Sequence, residues 1–467
     1  MSKTSYEPRQ DPLQDTPRWH LGRAIKLVGG QSAMARACGI KQGHVWAWLN
    51  KTSRCPAEHV LSIEEATKGS VTRHQLRPDL YPESISRAES PPLPPKPPSP
   101  IKTSSRKKTP KKSGGGKGKL KIAIYGAGAI GGYLGAQLAL AGNDVSLIAR
   151  GPHLKAMKKN GLKLLIDGEE RVARNCLFTD DPAEAGPQDY VIITLKSHQA
   201  YDAAGRFKPL LGPDTAVVTA MNGVPWWYFY KLKGKYENHR LENVDPGGWQ
   251  WKTIGPERAI GCVVYPATEI IEPGVIKHVY GNKFTLGEPD GALTDRCQRL
   301  SDAMTEAGFK APVRDNIRDD IWIKLWGNLC FNPISALTGA TLDVVATDPA
   351  TRILARCMML EAQDIGEALG VHFRVDVHRR INGAAEVGPH KTSMLQDIEN
   401  GKPMEIDALV TAVQEMGRLV DIETPYIDSV LGLIQQRGRV LGLYPTFTGP
   451  DLASDAMAGE DSRELVD

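Results

Sequence analysis

The sequence has few cysteines, and their placement excludes the common cysteine-based architectures. Seven cysteines occur among 467 residues, and no two of them have the spacing of a CxxC pair. An odd number of scattered cysteines fits neither a disulfide framework nor a structural zinc site. We therefore expect no bound metal and a reducing compartment, the cytoplasm.

Long apolar runs are also absent. Residues 1–18 are polar and charged, and no uninterrupted apolar stretch approaches the roughly 20 residues that a membrane helix needs. The pattern excludes a signal peptide and a membrane partner, and it predicts a soluble protein. A chain of 467 residues has room for two or three domains, each with its own core.

Charge is distributed unevenly along the chain. Residues 1–120 contain 22 Lys and Arg against 9 Asp and Glu, whereas the remainder contains 36 against 45. The net charge of +4 therefore combines a basic front with an acidic rear. A basic front predicts a polyanionic partner for that part of the chain alone.

A compositional break separates the two parts. Residues 82–118 run through PPLPPKPPSP, SSRKKTPKK and SGGGKGK, which cannot bury apolar surface. We expect a disordered linker rich in Pro, Lys and Gly, preceded by a small domain at residues 1–81. The polar end, residues 446–467, is also expected to be disordered.

Residues 31–50 have the spacing of a helix-turn-helix. Ala35 is small enough for the helix crossing, Gly39 permits the turn, and Val45 and Trp48 face inward. Residues 21–67 read as three or four short helices, and the stretch as a whole, through DLYP at residues 79–82, resembles the Cro-like YdaS family of bacterial and prophage regulators. The resemblance implies a separate, small, all-α domain that binds DNA.

In such a domain, the helix that begins at Lys41 or Gln42 would enter the major groove of double-stranded DNA. Gln42 and His44 would lie near base edges, and Lys41, Lys51 and Arg54 near phosphates. A helical hairpin of this shape also serves as a dimerisation or docking module, and the sequence leaves that alternative open.

A strand, a glycine-rich turn and a helix follow the linker within residues 120–150. Three glycines form the G-x-G-x-x-G pattern: the first permits a tight turn, the second lets backbone approach a pyrophosphate, and the third lets helix and strand pack closely. This context predicts the dinucleotide-binding turn of a Rossmann domain. The predicted turn comprises Gly126, Ala127, Gly128, Ala129, Ile130 and Gly131.

Three further residues follow predicted strands at the same sheet edge. Arg150 ends the second strand, where a guanidinium suits the 2′-phosphate of NADPH better than the ribose of NADH; the alternative is a surface arginine. Lys196 and Asn222 follow two later strands, so both should face the nicotinamide half of the cofactor. Either residue could instead cap a turn.

Residues 319–339 read as a helix with acidic residues at its start. Lys324, Asn328 and Asn332 are four apart and share one face, and a lysine with two amides among apolar neighbours is costly unless it serves a ligand. Pro333 lacks a backbone N–H, so we expect it to bend or end the helix beside this site.

Together these residues resemble the ketopantoate reductase family over residues 119–444. The resemblance rests on GAGAIGG, TLKSHQ, MNG, W-x-K-L-x-x-N-x-x-x-N-P and TSMLQDIENGKPMEIDAL. It implies an α/β Rossmann domain at residues 119–314 and an all-α domain at residues 315–445. The implied reaction is NADPH-dependent reduction of 2-dehydropantoate to (R)-pantoate, a step toward pantothenate.

The resemblance also implies roles for individual residues. Lys324 would donate a proton to the ketone oxygen, and Glu405 would hold polar groups of substrate or cofactor. Without the resemblance, Ser393 reads as a helix N-cap and Glu405 as a solvated helix carboxylate. The implied substrate contacts are Asn222, Asn328, Asn332 and Ser393, and the implied cofactor contacts are Lys196, Asn222, Ala267 and Glu405.

Two departures from the family pattern lie near the substrate. The family often has a further asparagine about ten residues after Asn332, where this chain has only Thr338 and Thr341 as polar neighbours. A longer insertion between Asn222 and Gly261 carries an aromatic cluster, which we interpret as a lid, an enlarged substrate pocket or a dimer contact. The size of the 2-keto acid therefore stays open.

Two other functions remain compatible with the sequence. An NAD-dependent D-2-hydroxyacid dehydrogenase of the D-mandelate type would share Lys324 and Glu405. A transcriptional regulator could use the dehydrogenase fold to sense cofactor or metabolite without turnover. The sequence also leaves open whether the protein is a homodimer.

Overall fold

A computed structural model describes residues 17–40, 42–49, 55–56, 59–78 and 119–445. The chain divides into two compact units, Met1–Lys112 and Ser113–Asp467. The expected linker and the expected disordered tail lie outside the described residues. Across the described ranges, no helix combines the length and the apolar character needed to cross a bilayer.

The first unit has a small helical core. Ala35, Val45 and Trp48 are buried there, and Gly39 adopts a left-handed φ of 65° between the second and third helices. These four positions confirm the packing predicted from the spacing of residues 31–50. Its helices are α1 (Pro17–Val28), α2 (Gln31–Ala37), α3 (Gln42–Ala47), α4 (Val60–Ala66) and α5 (Arg73–Leu76).

The second unit begins with a seven-stranded sheet in the order β11-β8-β7-β6-β1-β2-β5. All neighbours pair in parallel except β11, which runs antiparallel to β8. Parallel order requires helical crossovers, as in a doubly wound fold. Its strands are β1 (Lys121–Tyr125), β2 (Asp144–Ile148), β5 (Cys176–Thr179), β6 (Gln188–Ile193), β7 (Leu211–Thr219), β8 (Ala259–Val264) and β11 (Phe284–Gly287).

Strand register brings the predicted site residues to one edge. Tyr125 pairs with both Ile148 and Ile193, and Ile193 pairs in turn with Thr219. The turns after β1, β2, β6 and β7 therefore leave the sheet at the same level. In a doubly wound sheet this carboxyl edge is where ligands bind.

Helix α6 (Ala129–Leu140) lies between two sheets. Nine consecutive residues, 131–139, are buried, and the helix is apolar on all sides, as expected for an element with no solvent face. Its second face packs against a four-stranded sheet, β4-β3-β10-β9. The strands of that sheet are β3 (Leu162–Ile166), β4 (Glu169–Ala173), β9 (Ala267–Glu272) and β10 (Val275–Tyr280).

Further helices complete the sheet region and form the helical part that follows it. Those around the sheets are α7 (Gly151–Asn160), α8 (Pro182–Ala185), α9 (Ser197–Ala203), α10 (Trp249–Ile254) and α11 (Asp295–Glu306), with 3₁₀ segments at Ala204–Leu210, Pro246–Gly248 and Pro256–Arg258. The helical part comprises α12 (Ile317–Thr338), α13 (Leu342–Thr347), α14 (Pro349–Ala368), α15 (Val377–Glu386), α16 (Ser393–Glu399), α17 (Ala412–Leu419) and α18 (Pro425–Val440), with a π-helical segment at Asp407–Thr411.

Helix α12 connects the two halves. It packs against β8 and β11 on one side and against α14, α16 and α18 on the other. The helix continues through Pro333 to Thr338, so the expectation that Pro333 ends it is wrong. Seventeen of its 22 residues are buried, and this packing outweighs the roughly 3 kcal/mol that an internal proline costs.

Four adjacent aromatic residues of the insertion are part of the core, whereas Trp249, farther along the insertion, is 44% exposed. Trp226, Trp227, Tyr228 and Phe229 are each 3% exposed or less. The Trp322 indole donates to the Tyr228 hydroxyl at 2.6 Å. Burying this much aromatic surface stabilises the fold, so these four residues do not form a lid. Trp227 lines a pocket with Lys324, and the dimer contact stays a prediction.

Polar contacts tie the insertion to α12. The buried guanidinium of Arg318 donates to the carbonyls of Tyr228 at 2.8 Å and Tyr230 at 2.9 Å, and also to that of Pro289. Three carbonyl partners satisfy a cation that would otherwise be costly to bury. The start of α12 and the insertion therefore fold as one block.

A backbone contact also joins the loop after β7 to the helical part. The Val224 N–H donates to the Ala408 carbonyl at 2.9 Å. Gly223 precedes it with a φ of 86°, and a Cβ there would lie 2.5 Å from the same carbonyl oxygen. Only glycine fits both the backbone conformation and the close approach.

The space around Gly261 and Gly432 predicts opposite effects on stability when each is replaced by alanine. Gly261→Ala places a Cβ 2.9 Å from both Ile317 Cγ1 and Trp227 Cη2, so we expect a loss of about 1–3 kcal/mol in stability. Gly432→Ala in α18 meets nothing within 4 Å and should stabilise by up to about 1 kcal/mol. Thermal unfolding midpoints test both, and equal midpoints would contradict the packing described.

Candidate active site

Lys324 on α12 reaches the carboxyl edge of the large sheet. Its Nζ donates to Asn222 Oδ1 at 2.7 Å and to the carbonyl of Val264. Asn222 follows β7 and Val264 ends β8, so two strand ends and one helix meet at this ammonium. Lys324 and Asn222, singled out separately from the sequence, are therefore in direct contact.

The surroundings of Lys324 weaken its affinity for the proton. Burial lowers the pKa of Lys324 to about 8, although the Cys262 thiol and the Glu405 carboxyl oppose the shift. A desolvated ammonium loses the hydration that stabilises its charge, while a neutral amine does not. An amine with this pKa exchanges its proton near physiological pH.

Glu405 lies beside Asn222, whose amide donates to its carboxylate. Its Oε1 accepts from the Ser197 backbone N–H at 3.2 Å. Burial raises the pKa of Glu405, while hydrogen bonds from Ser197 and the Asn222 amide offset part of the shift. The residue precedes the π-helical segment and is not on a solvated helix face, so that alternative from sequence is wrong.

The remaining predicted substrate contacts form two groups. Asn328 lines a small pocket of about 20 Å³ together with Lys324 and Asn222. Farther along α12, Asn332 Nδ2 donates to Ser393 Oγ at 3.2 Å. Ser393 is not an N-cap, because Thr392 fills that position and accepts from Leu395 N–H.

A larger cleft of about 760 Å³ runs along the same sheet edge. Gly126, Ala127, Gly128, Arg150 and Lys196 line it, as the sequence predicted. Ala129 and Ile130 lie instead in the first turn of α6, and Gly131 is buried behind the glycine turn. Ala267 begins β9 and does not line the cleft, whereas Ile270 on the same strand does.

The glycine turn fits a dinucleotide pyrophosphate. A Cβ on Gly131 would lie 2.4 Å from both the Gly126 carbonyl oxygen and Thr194 Oγ1, so only glycine lets helix and strand approach this closely. The N-terminus of α6 opens at the cleft, where its unpaired N–H groups favour an anion. The glycine turn and the helix start that line the cleft therefore suit this class of ligand.

Sequence reasoning missed the partner that holds Lys196. Its Nζ forms an ion pair with Asp397 Oδ2 at 2.7 Å and donates to the Pro403 carbonyl at 2.7 Å. Asp397 is on α16, so the contact joins the sheet region to the helical part. Asp397 falls within TSMLQDIENGKPMEIDAL, but nothing in that string distinguishes it from the neighbouring acidic residues.

Comparison with known proteins identifies the family. The family described as "Ketopantoate reductase PanE/ApbA" matches residues 122–291, and its C-terminal counterpart matches residues 316–438. A 2-dehydropantoate 2-reductase from Mesorhizobium japonicum is 58% identical over 326 residues, which is 70% of this chain and 100% of that protein. The chain belongs to the ketopantoate reductase family.

Two solved structures, one of a putative ketopantoate reductase and one of a D-mandelate dehydrogenase, are similar in fold. A putative ketopantoate reductase from Ralstonia solanacearum is 40% identical, with a TM-score of 0.66, covering 70% of this chain and 100% of its own. A D-mandelate dehydrogenase solved with NADH and anilino(oxo)acetate is similar in fold, with 23% identity and a TM-score of 0.60 over 69% of this chain and 100% of its own. A family described as "Bacterial toxin YdaS" matches residues 21–85.

The environment of Lys324 predicts that its amine titrates near pH 8. Because burial disfavours the ammonium, the charged fraction should fall as pH rises through about 8, well below the pH at which an exposed lysine titrates. Reductive ¹³C-methylation followed by NMR measures this directly. Loss of the signal in Lys324→Met assigns it, and titration at the ordinary lysine value would contradict the burial described.

Proposed function

We propose that residues 119–444 reduce 2-dehydropantoate to (R)-pantoate with NADPH, a step of pantothenate biosynthesis. The carrying observation is the Lys324 ammonium, held by Asn222 at 2.7 Å at the sheet edge with a pKa of about 8. Support also comes from the 58% identical Mesorhizobium japonicum protein, which is matched over its whole length and is named 2-dehydropantoate 2-reductase.

The chain's own residues account for cofactor binding. The glycine turn and the start of α6 would hold the pyrophosphate, and Arg150, which follows β2 and lines the cleft, would bind the 2′-phosphate. When bound, NADPH supplies the hydride that reaches the ketone carbon of the substrate. Lys196 lines this cleft and Asn222 lines the small pocket with Lys324, and both would face the nicotinamide.

Lys324 provides the proton. As negative charge develops on the ketone oxygen, the Lys324 ammonium stabilises it and then transfers a proton to it. A pKa of about 8 keeps most of the amine protonated at neutral pH and still lets the proton leave readily. Asn222 Oδ1 and the Val264 carbonyl fix the direction in which Nζ points.

Hydrogen-bonding groups around Lys324 orient the substrate. Asn328 and Asn332 extend from the same helix face, and Ser393, paired with Asn332, contacts the substrate carboxylate. Glu405 holds polar groups of substrate or cofactor. A keto acid bound between these groups presents its carbonyl oxygen to Lys324.

With NADPH, the kcat/KM of the full chain should be at least about tenfold higher for 2-dehydropantoate than for benzoylformate. It should also be at least about tenfold higher than the kcat/KM of either substrate with NADH. Lys324→Met should lower kcat/KM by about 10²–10⁴-fold, the usual contribution of a positioned acid, while the Kd of NADPH is retained. Initial-rate kinetics with both substrates measure this. Faster turnover of benzoylformate would favour the D-mandelate type, and undiminished turnover by Lys324→Met would remove its proposed role.

We also propose that the first unit binds double-stranded DNA. Gln42 and His44 are exposed on α3, the second helix of the helix-turn-helix, and residues 1–120 carry the basic excess. Lys41, Lys51 and Arg54, predicted to lie near phosphates, fall outside the described residues. The family match over residues 21–85 supports a module with a role of its own.

Gel-shift titration with genomic DNA fragments tests this proposal. The full chain should bind with an affinity that falls steeply as salt rises, because phosphate contacts release counterions, and deletion of residues 21–67 should abolish binding. Gln42→Ala and His44→Ala should reduce the preference among fragments. Binding that survives the deletion, or its absence at low salt, would favour a docking module; a change in DNA affinity on adding NADPH would favour a sensor.

A further inference from the structure

One wall of the cofactor cleft has no role in the reaction described above. Gln199, Ala203 and Arg206 recur at helical spacing along α9 and the 3₁₀ segment after it, and all three line the cleft. Arg150, at the end of β2, lines the same cleft. Two arginines therefore reach one cavity from elements far apart in sequence.

Arg206 is anchored beside the end of β2. Its Nη2 donates to the Asp180 carbonyl at 2.7 Å. Asp180 follows β5, the strand that pairs with β2, so the anchor fixes the guanidinium near the strand end that carries Arg150. Only one of its five N–H groups is used by this contact.

The two guanidinium groups act on a common neighbour. Burial raises the pKa of the Tyr125 hydroxyl at the end of β1, and Arg206 and Arg150 both oppose that shift. Both cations are therefore close enough to influence the same oxygen. Among the described residues, no side chain or carbonyl forms a hydrogen bond or ion pair with the Arg150 guanidinium; the backbone carbonyl of Arg150 accepts from the Leu154 N–H.

Cations outnumber carboxylates among the charged side chains of the cleft. Lys196 is neutralised by its ion pair with Asp397. Arg150, Arg206 and Lys402 then stand against the carboxylates of Asp180 and Asp202, an excess of one cation. An anion between Arg150 and Arg206 would be attracted by both guanidinium groups.

We propose that Arg206 and Arg150 together bind the 2′-phosphate of NADPH, and that Arg206 is a second determinant of cofactor specificity. The inference rests on the proposed use of NADPH. A guanidinium offers two parallel N–H groups to a phosphate, and charge-assisted hydrogen bonds of this kind are stronger than neutral ones. Because the Asp180 carbonyl already orders the Arg206 side chain, little entropy is lost on binding.

Equilibrium binding of the two cofactors separates this role from others. In the full chain, Arg206→Gln should raise the Kd of NADPH about tenfold or more, the size expected for a lost charge-assisted contact, and leave that of NADH within about twofold. The Kd of NADPH for Arg206→Lys should fall between those of Arg206→Gln and the unchanged chain, because lysine keeps the charge but lacks the two parallel N–H groups of a guanidinium. Cofactor fluorescence or calorimetry gives both constants without turnover.

A matched control uses Arg258, which also donates to backbone carbonyls, at 2.7 Å to Gly212, near the start of β7 and away from the cleft. Arg258→Gln should change neither Kd. Combining Arg150→Gln with Arg206→Gln should bring the Kd of NADPH close to that of NADH.

If Arg206→Gln raises the Kd of NADPH and the Kd of NADH equally, the side chain contacts the adenine or only supports the fold, and the proposal is overturned. An unchanged Kd for NADPH would also overturn it. Unfolding midpoints recorded alongside reveal a folding defect, in which case Arg206→Lys carries the same test. Absence of 2-dehydropantoate turnover would refute the proposed reaction without altering the ratio of the two Kd values.

Discussion

The contact between Lys324 and Asn222 depends on how α12 crosses the large sheet. A lysine at the carboxyl edge keeps its charge only if acceptors replace the water it loses, and Asn222 Oδ1 and the Val264 carbonyl do so. Both acceptors come from strand ends, while the amine comes from a helix. The site therefore exists only when sheet and helical part are held in one arrangement.

Polar contacts in and around the insertion maintain that arrangement. Arg318 uses three carbonyls to fix the start of α12, and Glu415 on α17 accepts from the backbone N–H groups of Glu242 at 2.8 Å and Asn243 at 3.1 Å. The Glu415 contacts are exposed, whereas Arg318 is buried, and an unpaired charge in its place would be strongly destabilising. The insertion thus contributes to the site by holding the start of α12 in place, and its Trp227 lines the small pocket.

Local pattern was sufficient wherever one element determined the outcome. The glycine turn, the shared face of Lys324, Asn328 and Asn332, and the positions of Ala35 and Gly39 all follow from spacing within a single helix or turn. Sequence pattern gave the wrong prediction where packing against an element distant in sequence determines the structure. Pro333 stays within α12 because neighbouring helices pack around it, and the four adjacent aromatic residues of the insertion are buried because Arg318 and Trp322 complete their polar groups. The partners of Lys196 and Arg206 were likewise invisible, since sequence does not reveal which carboxylate or carbonyl a long side chain reaches.

The hydrogen bond from Val224 to Ala408 lies two residues from Asn222 and three from Glu405, so it has a mechanical consequence. A backbone hydrogen bond is shorter and stiffer than a contact between long side chains, so it fixes the separation of the two chain segments at this point. Asn222 and Glu405, each within three residues of it, therefore have their backbone spacing set by the main chain rather than by side-chain packing.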